Sequence, residues 1–100
     1  DLSKDDITAV AKILLSGLAK DVMDSHNMAI KFTDEAVKKI SIWGYDPVFG
    51  ARPLRGVISE KVRSVLAEKI LKNEIKKGGS LLISVKGEEL VFESKASDNF

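Results

Sequence analysis

Residues 44–55 read Gly-Tyr-Asp-Pro-Val-Phe-Gly-Ala-Arg-Pro-Leu-Arg. Two glycines, two prolines and two aromatics within residues 44–53 describe an ordered loop rather than a slack one. Gly44 suits the C-terminal stop of a preceding helix. Pro53 suits the first turn of a following one, where its missing N–H is not needed. A helix, an ordered loop and a second helix therefore occupy the centre of the chain, and the flanks decide its class.

Upstream, Thr33 is placed to cap the first of these helices, with Asp34 and Glu35 at the positive end of its dipole. Ala36, Val37 and Ile40 supply its inward face, and Phe32 and Val37 form a staple across its start. Before it, Met28, Ile30 and Phe32 alternate with Ala29 and Lys31, the period of a half-buried strand. Further upstream, Ile7, Val10, Leu14, Leu18 and Val22 recur at helical spacing, while Lys12, Ser16 and Lys20 fall on the water side. That helix is expected to start at a Ser3 cap, with Asp6 in the capping-box position and Leu2 stapled to Ile7. Asp24-Ser25-His26-Asn27 ends it.

Downstream of Pro53, Leu54, Val57, Ile58, Val62, Val65, Leu66 and Ile70 carry a third helix that fades near Lys76-Lys77-Gly78-Gly79. The period then changes to two. Leu81, Ile83 and Val85 alternate with Leu82, Ser84 and Lys86, Gly87-Glu88-Glu89 turns, and Leu90-Val91-Phe92 returns, which reads as a terminal hairpin. The order α-β-α-α-β-β predicts an α+β domain of two layers, three helices packed on a small three-stranded sheet. The domain is expected over residues 1–93, with 94–100 a frayed polar tail.

Composition bounds the chemistry. One hundred residues, 44% hydrophobic and 31% charged, suffice for one core. Sixteen Lys and Arg against 15 Asp and Glu leave a net charge of +1, which argues against a dedicated nucleic-acid binder. Cys is absent, so disulfides, thiolate metal sites and cysteine nucleophiles are excluded. The lone His26 cannot build an imidazole zinc site, and it reads as a solvated turn residue; no metal site is expected. No apolar run approaches the roughly 20 residues that span a membrane, and no signal-peptide pattern opens the chain. An intracellular module is expected. Asp1 is not an initiator Met, and the abrupt start is that of a fragment. The chain lacks G-x-x-x-x-G-K-S/T, so it builds no phosphate loop, and no paired carboxylates or Ser/His/Asp set indicate catalysis of its own.

Arg52 admits two readings. A cation at the start of a helix is opposed by the dipole, and a guanidinium beside free backbone N–H groups makes an anion site. Spacing alone favours the other reading, an ordinary exposed Arg pointing away. Arg55, Ser59 and Arg63 follow at four-residue steps as a polar ridge, either a solvated face or a partner surface.

Taken together, Gly44-Tyr45-Asp46-Pro47-Val48-Phe49-Gly50-Ala51-Arg52-Pro53-Leu54-Arg55 closely resembles the sensor-2 segment of the Clp AAA+ ATPases, the family of ClpA, ClpB and ClpC. The resemblance runs from Leu2-Ser3 to Leu90-Val91-Phe92 and includes the Thr33-Asp34 helix start. It implies the C-terminal small subdomain of such an ATPase, a lid beside nucleotide held by a large α/β subdomain. By resemblance, Arg52 is the sensor-2 arginine directed at the ATP γ-phosphate, Gly50 and Ala51 let the backbone approach the nucleotide, and Tyr45 and Phe49 pack. Gly44, Asp46 and Pro47 shape the loop.

The implied cofactors are ATP and Mg²⁺ in the full-length protein, with none bound by the isolated domain. The implied partners are the large subdomain, neighbouring subunits of a hexamer, unfolded or aggregated protein and, in some members, a protease ring, all in the cytoplasm. Neither nucleic acid nor membrane is among them. The chain departs from the family pattern at Ile42 and Trp43, often polar in relatives, and at Gly56, usually basic. The rival reading is a structural module that holds subunits together without a nucleotide role.

Overall fold

A computed structural model of the chain describes residues 4–75 and 78–95. The first helix, α1 (Lys4–His26), stops where Asn27 turns left-handed at φ 53° and donates its N–H to the Met23 carbonyl at 2.9 Å. Ile7, Ala11, Leu15, Leu18 and Val22 form its buried stripe. Ile7, Leu18 and Val22 are buried as expected, whereas Val10 and Leu14, also expected in the stripe, are half-buried beside it and Ala11 and Leu15 take the buried positions midway along the helix. Ala11 takes the central place because a small side chain lets α1 lie close on its neighbours. Lys12, Ser16 and Lys20 face water as expected. The Ser3 cap and the Leu2 staple lie outside the described residues.

The exposed Gly17 sits inside α1, where an added Cβ would meet nothing within 4 Å. Gly17→Ala is therefore expected to stabilise the chain by about 1 kcal/mol, because it removes backbone freedom from the unfolded state. Thermal unfolding followed by circular dichroism should show the rise; an unchanged or lower midpoint would mean that α1 is not regular there.

Strand β1 (Ala29–Phe32) leads into α2 (Asp34–Trp43) through Thr33, whose Oγ1 accepts the Ala36 N–H at 3.1 Å. Thr33→Ala leaves that donor without its cap, and a loss of about 1 kcal/mol is expected in a denaturant titration. Ala36, Val37 and Ile40 are buried. The third helix begins as α3 (Leu54–Ile58), widens into a π-helical turn at Ser59–Arg63 and continues as α4 (Ser64–Leu71). It ends at Leu71, before the Lys-Lys-Gly-Gly stretch expected to stop it, because Asn73 adopts φ 62° and breaks the register. Lys76 and Lys77 lie outside the described residues.

Strands β2 (Ser80–Lys86) and β3 (Glu89–Lys95) form the expected hairpin, turning at Gly87 with φ 64°. The sheet order is β1-β2-β3, with β1 parallel to β2 and β2 antiparallel to β3. Ile30 pairs with Leu81, and Phe32 with Ile83, which in turn faces Phe92. The register puts these side chains on one face, packed in the same core as α1, α2 and the third helix. The α+β, two-layer prediction holds in order and in layers. Ser94 and Lys95, read from their polarity as tail, pair with Leu81 and Ser80 at the end of β3, and residues 96–100 lie outside the described residues.

Candidate functional site

The site is built on the loop between α2 and α3, and its two ends touch. Gly44 closes α2 by donating to the Ile40 carbonyl at 2.9 Å. Its φ of −90° is open to any residue, so left-handed geometry is not why glycine stands here. The reason is Leu54: a Cβ on Gly44 would lie 2.8 Å from the Leu54 Cα and 3.0 Å from its Cβ. Leu54 itself is fully buried, so neither partner can yield.

Within the loop, Asp46 and Gly50 exchange two backbone hydrogen bonds of 2.8 and 2.7 Å. The Asp46 Oδ1 accepts the Val48 N–H at 3.2 Å, and Gly50 takes φ 65°. Two further turns carry the backbone into the helix, with Arg52 N–H to the Phe49 carbonyl at 3.3 Å and Leu54 N–H to the Ala51 carbonyl at 3.0 Å. Pro53 is already helical at φ −69°, and its carbonyl accepts the Val57 N–H.

This closed loop carries Arg52 exposed at its end. Among the described residues its guanidinium has no carboxylate partner; the Arg52 Cζ lies 5.8 Å from the centroid of the Phe49 ring. Gly50 and Ala51 are half-buried directly before it. Tyr45 and Phe49, expected to pack, are 46% and 56% exposed. The loop is held by backbone bonds and by the Gly44–Leu54 contact, and both rings stay about half exposed. Asp46 shapes the loop as expected.

Arg55 and Ser59 are exposed on the outer side of α3. The π turn follows, with Ser64 donating to the Ser59 carbonyl five residues back, and Arg63 reaches across to Asp21 of α1 at 3.3 Å. The three residues thus do not form one free ridge: Arg55 and Ser59 are open, and Arg63 is tied to α1. Trp43 is half-buried and lies under two ammonium groups, Lys39 at 5.9 Å and Lys61 at 5.5 Å, whereas Ile42 is 67% exposed. A groove of about 560 Å³ opens beside Ile42 and Tyr45 against Ile7 and Thr8 of α1.

His26 differs from expectation. It is half-buried at the mouth of a cavity of about 200 Å³ between α1 and α4, with its Nδ1 enclosed, rather than free in solvent. The third helix crosses the end of α1 there, a tertiary placement with no signature in the residues around position 26.

The class is that of small α+β domains that present an arginine, without a carboxylate partner among the described residues, on a closed Gly-Ala-Arg-Pro loop at a helix start. The comparison with known proteins makes the class particular. The family described as the C-terminal, D2-small domain of ClpB protein matches residues 2–83, and the chain belongs to that family. It is 36% identical over 94 residues to the chaperone protein ClpB of Aquifex aeolicus (strain VF5) and 37% over 89 residues to that of Rickettsia bellii (strain RML369-C). To chaperone protein ClpB 2 of Synechocystis sp. it is 30% identical over 97 residues. These alignments take in 94%, 89% and 97% of the chain but only 9%, 10% and 11% of the relatives' own lengths.

Proposed function

We propose that the chain is the lid subdomain of an ATP-driven protein-unfolding or disaggregating chaperone of the Clp type, and that Arg52 is its sensor-2 arginine. One observation carries this: Arg52 stands exposed on a rigidly closed loop, with no carboxylate partner among the described residues. An arginine without a carboxylate partner keeps its charge and its N–H fork available to an incoming phosphate. A guanidinium directed at a γ-phosphate stabilises charge on the transferring group. Because Arg52 belongs to the lid and the phosphate loop to the large subdomain, the same contact ties nucleotide state to the angle between the two.

Gly50 and Ala51 lack bulk and admit the nucleotide close to the backbone. ATP and Mg²⁺ are bound by the full-length protein and not tightly by this domain alone, since the phosphate loop and Mg²⁺ ligands lie elsewhere in it. The partners are the large AAA+ subdomain, the neighbouring subunits of a hexamer and unfolded or aggregated protein. Arg55 and Ser59 offer an open surface to such partners, and the place of action is the cytoplasm. No described helix is long and apolar enough to cross a membrane. A protease ring is not part of the proposal, because the relatives' names are those of chaperones.

The coding DNA upstream of Asp1 tests this reading. An in-frame G-x-x-x-x-G-K-S/T on a strand-to-helix turn supports it; a start codon shortly upstream of Asp1 removes the nucleotide and with it the role of Arg52. The exposed Ile42, Val48 and Leu71 favour a second reading, a module that only holds subunits together. Under that reading Arg52→Ala rings fall apart in sedimentation, whereas under the first they stay assembled and lose turnover.

A further inference from the structure

We infer that Phe49 is a positioning residue for Arg52: its ring orients the guanidinium without neutralising it. The inference rests on the sensor-2 reading of Arg52 and deepens it. A Phe that is 56% exposed contributes little to the core, yet this one is held in a defined place. The Asp46–Gly50 bonds fix the backbone on either side of it, and its own carbonyl accepts the Arg52 N–H at 3.3 Å. Gly50, at φ 65°, makes the reversal that brings the two side chains to the same side, with Arg52 Cζ 5.8 Å from the ring centroid.

That distance lies within the range of attraction between a cation and an aromatic face. The chemistry suits a sensor. A carboxylate at this place would hold the guanidinium more firmly, but it would cancel the charge an anionic phosphate needs. An aromatic face restricts the rotamers of a long side chain and leaves its charge and its N–H groups available. The guanidinium is thereby kept near its working direction before nucleotide arrives, which reduces the ordering required during the reaction.

The test uses the full-length ATPase and steady-state ATP hydrolysis. Phe49→Leu keeps apolar bulk and removes the π face. Its kcat is expected to fall about two- to fivefold, the range of an exposed cation–π contact, with KM little changed because the charge being stabilised develops in the transition state. Phe49→Tyr keeps the π face and is expected to restore kcat. In an Arg52→Ala background Phe49→Leu is expected to have no further effect. Wild-type kcat for Phe49→Leu beside an impaired Arg52→Ala enzyme overturns the positioning role and leaves the sensor role standing. An equal loss from Phe49→Leu in both backgrounds also overturns it, since the ring would then act without the guanidinium. Wild-type turnover in Arg52→Ala removes the sensor reading itself, and this inference with it.

Discussion

Arg52→Ala in the full-length protein is expected to lower ATP turnover by about 10²-fold while leaving the fold as stable as before. The size of the loss follows from removing one charged donor to a transferring phosphoryl group, where single-group deletions cost on the order of 10²–10³ in rate. Stability is spared because the side chain is exposed and makes no ion pair among the described residues. Only its contact with Phe49 is lost, and exposed contacts of that kind contribute at most about 1 kcal/mol. The two readouts are ATP hydrolysis at saturating substrate and the thermal midpoint. Arg52→Lys should recover little, because an ammonium keeps the charge but not the planar fork. Undiminished turnover in the alanine variant would end the sensor-2 proposal, and a parallel fall in midpoint would reassign Arg52 to structure.

The second large effect is structural. Gly44→Ala is expected to destabilise the chain by about 3 kcal/mol, a fall of roughly 15 °C in thermal midpoint. The added methyl would press on the Cα and Cβ of Leu54, a fully buried residue held in the first turn of α3. Backbone cannot evade a clash by changing rotamer, so the α2–α3 loop has to open. Gly56→Ala is the control: its Cβ would meet nothing within 4 Å, and a helical position gains up to about 1 kcal/mol from the exchange. Opposite signs for the two glycines would place the cost in the Leu54 contact; equal signs would refute that account. Since the same loop carries Arg52, Gly44→Ala in the full-length protein should also impair turnover at temperatures where it remains folded.

Much of this architecture is written locally. Thr33 before Asp34 and Glu35, the alternation of Met28, Ile30 and Phe32, and the change of period after Gly78-Gly79 each name an element by short-range chemistry. The elements appear where those signals put them. The fold departs from those local signals in two places. Helical spacing puts Val10 and Leu14 in the α1 stripe with Ile7, Leu18 and Val22, whereas the fold buries Ala11 and Leu15 midway along it, because spacing admits neighbouring rotations and only the packed partner selects one. The apolar spacing carries the third helix toward the Gly pair, whereas Asn73 stops it sooner; Asn tolerates a left-handed backbone, so the stop is signalled in the sequence itself.

The candidate site divides the same way. That residues 44–53 form an ordered loop between two helices, and that Arg52 precedes the proline opening the second, follows from glycine, proline and helix-end chemistry, which act over a few bonds. The parallel pairing of β1 with β2, the cavity that His26 lines together with α4, the ion pair from Arg63 to Asp21 and the contact that requires glycine at position 44 were decided by tertiary structure alone. Each joins groups distant in sequence or separated by a loop, and such contacts depend on how whole elements pack rather than on the residues beside them. The exposure of Phe49 beside Arg52 belongs to that second set: an aromatic residue in a loop reads as an anchor until the backbone is seen to close without it.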